Sequence, residues 1–272
     1  MKKISRRSFL AAAAVSAAAL AMTACGGSAS SAASSVASSA ASSGAAALST
    51  VVAGKLTMAT NATFPPYEMT TDSGEIEGID VDTAKAIAEK LGLELQVDDM
   101  EFDAALLSVQ QGKADIVMAG VTVTDERKAV MDFSDSYATG IQSIIVPNDS
   151  DIASPDDLAG KKIGTQRGTT GYIYCSDDFG EDSVVAYDSG LTAVQALNNG
   201  QVDAVVIDNA PATQYVAANP GLKVLDTSYA EEDYAIGMAK GSALEDAINK
   251  ALEELKADGT LQSIVDKYIN AN

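Results

Sequence analysis

Two stretches of the sequence follow one pattern: Gly112-Lys113-Ala114-Asp115-Ile116-Val117-Met118-Ala119 and Gly200-Gln201-Val202-Asp203-Ala204-Val205-Val206-Ile207. Each copy has a glycine, two residues, an aspartate and four apolar residues, and each follows a segment with helical spacing, at 104–111 and at 192–199. A continuous apolar run of this length is typical of a strand that is buried on both faces. The repeat therefore predicts two similar α/β lobes, each a mostly parallel sheet flanked by helices.

Strand-like and helical patterns also alternate along the rest of the chain. Leu56-Thr57-Met58-Ala59 reads as a strand, and a helical pattern that begins near Val81 ends at Gly92. The segment 243–272 has the spacing of two amphipathic helices. Ligands of open parallel sheets bind beyond the carboxyl ends of the strands, so the repeat indicates residues 120–127 and Asp208 as parts of a binding site.

The composition excludes several classes of function. The 272 residues include 38 Asp and Glu, 18 Lys and Arg and no His, for a formal net charge of −20. Nucleic-acid binding requires a basic face that neutralises phosphates. A chain without histidine has no Ser-His-Asp or Cys-His nucleophile and no mixed histidine zinc site, and two cysteines do not make an all-cysteine zinc site. We therefore expect no nucleic acid, no metal and no cofactor.

The first 24 residues have the features of an export signal peptide. Basic residues at positions 2, 3, 6 and 7 precede an apolar run from Phe9 to Ala24, which is shorter than the roughly 20 residues of a membrane-spanning helix. A short membrane anchor is the alternative. The pair Arg6-Arg7 leaves open whether export follows the general secretory or the twin-arginine route.

Residues 25–50 are interpreted as a lipidated cysteine and a flexible tether. Leu20-Ala21-Met22-Thr23-Ala24-Cys25 resembles a bacterial lipobox, which implies cleavage before Cys25 and lipidation of its thiol. The Ser, Ala and Gly residues that follow have too little apolar bulk for a core. Without residues 1–24 the chain keeps 14 basic and 38 acidic residues, a net charge of −24, so we expect the lipid, not the surface, to hold it at a membrane. Cys175 is expected to be a small buried residue.

Arg127 is the first candidate binding residue. It falls in the first turn of a predicted helix that Thr124 caps, where a cation opposes the helix macrodipole. Helix propensity therefore does not explain why an arginine occupies this position. Either it forms a salt bridge to Asp125, Glu126 or a loop acid, or it is a bidentate clamp for the carboxylate of a ligand.

Three further features are consistent with a pocket. A Gly/Thr-rich turn at 164–171 precedes a predicted helix and offers backbone N–H groups to an anion, although capping by Thr169 is the simpler explanation. Asp208 follows a buried strand, where it either caps the next segment or accepts a hydrogen bond from an ammonium group. Phe64 and Phe102 lie in or next to loops, although a core role is the default for any phenylalanine.

Six short motifs occur in order within residues 51–272. They are Thr63-Phe64-Pro65-Pro66-Tyr67-Glu68, Gly78-Ile79-Asp80-Val81-Asp82, Gln111-Gly112-Lys113-Ala114-Asp115, Thr124-Asp125-Glu126-Arg127, Asp132-Phe133-Ser134-Asp135-Ser136-Tyr137 and Gly160-Lys161-Lys162-Ile163-Gly164. Each is weak alone, but together they resemble the polar amino-acid solute-binding proteins of ABC importers, the bacterial extracellular family 3.

The resemblance implies a fold and a set of site residues. The fold would be the type II periplasmic-binding-protein fold, in which two hinge strands join lobe 1 (51–142 and 236–272) to lobe 2 (143–235). The residues that would contact the ligand α-carboxylate are Arg127, Thr122, Thr169 and Thr170. Those that would contact the α-ammonium and the side chain are Asp208, Gly120, Phe64, Phe102 and Asn61.

The resemblance also implies binding without catalysis. The lobes would close on a free amino acid, which is expected to have a polar side chain. The protein would be a monomer, held by the lipid on Cys25 at the extracytoplasmic face of the membrane. There it would present the amino acid to the permease of an ABC importer. The sequence departs from several relatives at Ala119-Gly120, Gln166 and Arg167. The identity of the ligand's side chain is therefore left open. One alternative is an enzyme on the same scaffold, such as a cyclohexadienyl dehydratase with Glu68 or Asp99 as acid. The other is a ligand-sensing module that acts on a receptor.

Overall fold

The computed structural model describes residues 48–269. The predicted signal peptide, the predicted lipidation site Cys25 and nearly all of the predicted tether lie outside the described residues. Within 48–269, none of the helices combines the length and the apolar character that a bilayer crossing requires.

Strands and helices alternate through the described part of the chain. The strands are β1 (Lys55–Thr60), β2 (Thr63–Phe64), β3 (Glu68–Thr70), β4 (Ile76–Glu77), β5 (Glu94–Asp99), β6 (Ile116–Val117), β7 (Met131–Phe133), β8 (Ala138–Pro147), β9 (Ile163–Gln166), β10 (Val184–Tyr187), β11 (Ala204–Asp208), β12 (Leu222–Val224), β13 (Ala230–Tyr234) and β14 (Gly237–Ala239). The helices are α1 (Ile79–Leu91), α2 (Phe102–Gln110), α3 (Asp125–Val130), α4 (Thr170–Phe179), α5 (Gly190–Asn198), α6 (Asn209–Ala217), α7 (Glu245–Ala257) and α8 (Thr260–Ile269).

Besides a small sheet of β2, β3 and β4, two larger sheets organise these elements. The first has the order β5-β1-β6-β14-β7, and the second has the order β10-β9-β11-β8-β12 with β13 also paired to β8. In each sheet the strands that alternate with helices pair in parallel, β1 with β5 and β6, and β9 with β10 and β11. The remaining strands pair antiparallel. We call the first sheet with its helices lobe 1 and the second sheet with its helices lobe 2.

The two copies of the repeated pattern form the same local structure, as predicted. In lobe 1, α2 leads to β6, and in lobe 2, α5 leads to β11. The Asp115 amide donates to the carbonyl of Thr57 (3.0 Å) while the Thr57 amide donates to the Asp115 carboxylate (2.8 Å). Asp203 and Lys162 exchange the same two hydrogen bonds, each 2.8 Å long. The aspartate of each copy thus joins its strand to the neighbouring parallel strand.

The core lies on both faces of each sheet, as the apolar runs predict. In lobe 1, Met58 packs in the cluster that includes α1 and α7, whereas the next residue, Ala59, packs with α2. In lobe 2, Val205 packs with α5, and Val206 packs with Cys175 of α4. These alternating contacts bury both sides of the central strands.

Strand β6, which follows Gly112 of the first repeat copy, is shorter than predicted. The sequence predicts a strand over Ile116–Ala119, and these four residues are buried, but the ladder ends at Val117. Three residues later the chain turns, because Gly120 adopts a left-handed conformation (φ 55°) and its amide donates to Asp80 (3.0 Å). This turn brings the chain to the end of the sheet where the site lies.

Strands β8 and β13 connect the lobes. They pair antiparallel along β13, from Ala138 with Tyr234 to Gln142 with Ala230. The chain enters lobe 2 through β8 and returns to lobe 1 after β13. They correspond to the two hinge strands that the family resemblance implies.

Candidate functional site

A cavity lies between the carboxyl ends of the two sheets. The empty space in it, which includes space open to solvent, is about 430 Å³. All nine sequence-predicted binding residues line it: Asn61, Phe64, Phe102, Gly120, Thr122, Arg127, Thr169, Thr170 and Asp208. Six residues that were not assigned as binding residues also line it: Glu68, Ala119, Gln142, Gln166, Val206 and Ile207.

The strand ends of both lobes place these residues. Asn61 directly follows β1, and Gly120 follows β6 after a short turn. In lobe 2, Thr169 follows β9 and Asp208 is the last residue of β11. The site therefore lies where parallel sheets commonly bind ligands.

Arg127 contributes a buried cation to the cavity. Thr124 caps α3 by accepting from the Arg127 amide (3.2 Å), as predicted. The guanidinium donates to the carbonyls of Thr122 (2.7 Å) and Gly168 (3.1 Å) and lies 5.4 Å from the centre of the Phe102 ring. In the described part of the chain no salt bridge includes Arg127, and burial lowers its pKa. The salt-bridge alternative is therefore not the arrangement observed.

Asp208 contributes a buried carboxylate from lobe 2. It occupies the position before α6, but its side chain makes no capping hydrogen bond. Instead, its carboxylate accepts from the hydroxyl of Tyr234 and from the side-chain amide of Gln142 (2.8 Å). Burial raises the pKa of Asp208 to about 7, an effect that these two hydrogen bonds oppose. The capping alternative is therefore not the arrangement observed.

A polar network that the sequence did not reveal connects the two charged groups. Gln142 of β8 and Glu232 of β13 are both buried. One carboxylate oxygen of Glu232 accepts from the Thr122 hydroxyl (3.0 Å) and from the Gln142 amide (3.1 Å). The Gln142 amide also lies 3.4 Å from the Thr170 hydroxyl. Gln142 could have been suspected as a polar residue in an apolar strand, whereas Glu232 lies in an acidic run that resembles a solvated segment.

Aromatic side chains form the apolar walls. Phe64 and Phe102 are 7% and 6% exposed. Phe64 stacks on Tyr67 at 5.8 Å between ring centres, and Tyr67 meets Tyr234 edge-on at 5.3 Å. Since Tyr234 donates to Asp208, this aromatic row supports the acidic side of the cavity as well as its wall.

A pair of buried carboxyl groups lies behind Gly120. Asp80 accepts from the Gly120 amide (3.0 Å) and the Tyr137 hydroxyl (2.7 Å), and burial raises its pKa to about 6. Within residues 48–269 neither carboxyl oxygen of Glu68 accepts a hydrogen bond. Burial, followed by the charge of Asp80, raises the pKa of Glu68 well above its usual range. Glu68 therefore favours the protonated form.

The lobe 2 turn provides the remaining polar groups. Thr169 caps α4 by accepting from the Tyr172 amide (3.4 Å), and as a lining residue it also faces the cavity. The first backbone N–H groups of a helix have no partner within the helix; since Thr169 accepts from that of Tyr172, those of Thr170 and Gly171 are the ones left for an anion. Gln166 lines the cavity, whereas Arg167 is not among the lining residues.

Other candidate chemistry is limited. Among the described residues, no group of three or more His, Cys, Asp or Glu side chains is arranged to hold a metal ion. Cys175 is fully buried, as expected, and burial raises the pKa of its thiol to about 12. A protonated thiol in this position is a packing residue and not a nucleophile.

Two α/β lobes around a cavity with buried charges of both signs define a two-lobed ligand-binding protein of the type II periplasmic fold. Residues 56–271 match the model of the bacterial extracellular solute-binding proteins, family 3, and the chain belongs to this family. The members that it resembles are binding proteins.

Individual relatives and a solved structure agree with this assignment. The chain is 32% identical over 223 residues to the L-cystine-binding protein TcyJ of Escherichia coli (strain K12), covering 80% of this chain and 84% of that protein. It is 34% identical over 219 residues to the arginine-binding extracellular protein ArtP of Bacillus subtilis (strain 168), covering 79% and 86%. The structure superposes with a TM-score of 0.77 and 34% identity on the arginine-, lysine-, histidine-binding protein ArtJ from Geobacillus stearothermophilus, covering 80% and 96%.

Proposed function

We propose that this protein is an extracytoplasmic lipoprotein that binds a free α-amino acid between its lobes and delivers it to the permease of an ABC importer. Arg127 and Thr122, with the first amides of α4, hold the α-carboxylate. Asp208 and the carbonyl of Gly120 hold the α-ammonium. Phe64 and Phe102 flank the side chain, and Asn61 lies beside it.

One observation carries this proposal. Arg127 and Asp208 line the same cavity, are 8% exposed each, and within residues 48–269 do not form a salt bridge with one another. Buried charges are costly unless they are paired. A zwitterion between them pairs both charges at once, which a sugar or a neutral peptide bond does not.

The ligand's side chain is expected to be polar. The cavity has polar groups besides those assigned to the α-carboxylate and α-ammonium, namely Asn61, Gln166 and Glu68. The relatives described above bind L-cystine, arginine, or arginine, lysine and histidine, which supports an amino-acid ligand.

The proposal includes the predicted membrane attachment and lobe boundaries. Residues 1–24 direct export, Cys25 carries the lipid, and 25–50 form the tether. By the predicted boundaries, lobe 1 comprises 51–142 and 236–272 and lobe 2 comprises 143–235, so that the first boundary falls within the connecting strand β8. The protein acts as a monomer, and ligand binding shifts an open–closed equilibrium towards the closed form that the permease recognises.

A thermal-shift screen of the purified full-length protein tests this function. The panel contains the common amino acids, ornithine and cystine, with sugars and short peptides as comparison ligands. A ligand at about 100 times its Kd adds about 2.7 kcal/mol to the free energy of unfolding. We expect shifts with one or a few polar amino acids, and shifts only with sugars or peptides would contradict the proposal.

An enzymatic function is the second candidate, and Glu68 is the residue that favours it. It lines the cavity, and its raised pKa favours the protonated form that a general acid needs. Asp99, the other acid considered, accepts a hydrogen bond from the Ala62 amide (2.8 Å) and is not among the lining residues. Turnover of prephenate or arogenate by the purified protein would favour the enzyme, and tight binding of an amino acid without turnover would favour the transport protein.

A further inference from the structure

Glu232 is a buried carboxylate that the proposed contacts to an amino acid leave unused. It lies on β13, and its side chain points inward like that of Tyr234 two positions later. One of its oxygens accepts from Thr122 and Gln142. The other is buried and accepts no hydrogen bond from Thr122 or Gln142. Glu232 is not among the residues that line the cavity, so it acts on a ligand through its charge and through Thr122 and Gln142, which line the cavity and donate to Glu232.

The position of Glu232 places its charge between the two proposed ligand-binding charges. Among the groups that stabilise the charged form of Arg127, Glu232 has the largest effect. Glu232 also disfavours the charged form of Asp208. The hydroxyl of Tyr174 interacts with Glu232 from α4. The carboxylate is thus in electrostatic contact with both ends of the site.

Glu232 also competes with a ligand carboxylate for the hydroxyl proton of Thr122. The Thr122 hydroxyl has a single proton, and it donates that proton to Glu232. A ligand α-carboxylate held by Arg127 and the Thr122 hydroxyl must therefore displace Glu232 from this donor. A second carboxylate on the ligand would add further repulsion, because like charges in a buried site are poorly screened.

The charge balance has a consequence for the ligand. Around the network, one cation, Arg127, faces two carboxylates, Asp208 and Glu232. A zwitterion adds one charge of each sign and leaves one carboxylate in excess. A ligand that carries an additional cation removes this excess, and a ligand that carries an additional carboxylate increases it.

We propose that Glu232 sets the charge selectivity of the site, favouring amino acids with a cationic side chain and disfavouring those with an acidic one. This inference rests on the proposed amino-acid-binding function. Glu232 is a positioning and selectivity residue on a hinge strand. It does not replace Arg127 or Asp208 as the contact to the α-carboxylate or α-ammonium.

Isothermal titration with L-arginine, L-glutamine and L-glutamate tests the proposal. The variants are Glu232→Gln, which removes the charge, and Glu232→Asp, which keeps it. Glu231→Gln is the matched control, because it removes the same charge from the same strand at an exposed position. Removing one buried charge near the ligand is expected to change relative affinities by about tenfold, which is about 1.4 kcal/mol.

The expected result is a change in affinity ratios. In Glu232→Gln the preference for arginine over glutamine and glutamate falls about tenfold, whereas Glu232→Asp and Glu231→Gln keep the wild-type ratio to within about twofold. Equal weakening of all three ligands, or unchanged ratios in a folded Glu232→Gln, would overturn the inference while leaving amino-acid binding intact. If the wild type binds no amino acid, the proposed function itself fails.

Discussion

The side-chain amide of Gln166 in lobe 2 donates a 2.8 Å hydrogen bond to the side-chain oxygen of Asn61 in lobe 1. Two other contacts join the lobes at the same cleft. The Tyr215 hydroxyl donates to the carbonyl of Thr63, and Arg127 donates to the carbonyl of Gly168. These hydrogen bonds involve only the protein, so part of the free energy of lobe closure is independent of the ligand.

Loss of the Gln166 contact is expected to weaken ligand binding without removing any contact to the charged ends of the ligand. Gln166→Ala should raise Kd about two- to tenfold, since one hydrogen bond contributes roughly 0.5–1.5 kcal/mol, and the increase should appear mainly as faster dissociation. Gln195→Ala is the control, because Gln195 is exposed on α5. Stopped-flow titration of both variants measures the effect, and an unchanged dissociation rate in Gln166→Ala would contradict the closing role.

The raised pKa of Asp208 predicts proton release on ligand binding. Without ligand the pKa is about 7, and a neighbouring ammonium group lowers it. At pH 6 we expect about 0.9 proton to be released per ligand, and almost none at pH 8.5. Titration calorimetry in buffers of different ionisation enthalpy counts these protons. Asp208→Asn should bind weakly and release none, and the absence of proton release by the wild type at pH 6 would contradict the assignment.

The same pKa shifts determine the pH dependence of the stability of the ligand-free protein. The pKa values of Asp208 (about 7) and Asp80 (about 6) lie above the usual value of 3.8. Groups shifted upward stabilise the fold fully below their usual pKa, and this stabilisation is lost as the pH rises through the folded value. Acidification from pH 8 to pH 5 should therefore raise the melting temperature of the ligand-free protein, while the additional shift produced by ligand becomes smaller.

Gly140 is expected to be required for the position of Tyr234. A Cβ atom at Gly140 would overlap the ring and the hydroxyl of Tyr234, and this tyrosine donates to Asp208. Gly140→Ala should destabilise the fold by about 1–3 kcal/mol through overpacking and should weaken ligand binding. Gly221→Ala is the control, since a Cβ there has no neighbour within 4 Å. Urea unfolding measures both, and equal stability of the two variants would contradict the packing argument.

The two cysteines allow a direct test of the lipid anchor. Cys25→Ala should prevent lipidation, so that the protein no longer incorporates labelled fatty acid. Cys175→Ala should still be labelled, because the buried Cys175 only contributes packing and its removal lowers stability. Labelling that persists in Cys25→Ala and disappears in Cys175→Ala would contradict the proposed processing.

The sequence predicted the features that depend on local pattern. The repeat identified both helix–strand units, and the equivalent hydrogen bonds of Asp115 and Asp203 show that the match extends to side chains. The unfavourable place of Arg127 in a first helical turn singled it out, and the structure buries this residue in the wall of the cavity. Its actual partners, the carbonyls of Thr122 and Gly168, were not predictable, because one of them comes from the other lobe.

The parts that escaped prediction depend on long-range pairing. Glu232 lies between Glu231 and Asp233, a run that reads as a solvated acidic segment. Only the pairing of β13 with β8 directs Glu232 and Tyr234 inward while Glu231 and Asp233 stay exposed. The early end of β6 likewise follows from the hydrogen bond between Gly120 and Asp80, which are distant in sequence.

The central claim is that Arg127 holds the α-carboxylate of an amino acid whose ammonium group faces Asp208. The most direct measurement is the affinity of the wild type and of Arg127→Ala for the amino acid selected by the screen and for the amine left by its decarboxylation. The account predicts that decarboxylation weakens binding to the wild type by about 30-fold or more, since an unpaired buried charge costs about 2–5 kcal/mol, but by less than about threefold to Arg127→Ala. Equal affinity of the wild type for the amino acid and the amine would contradict it.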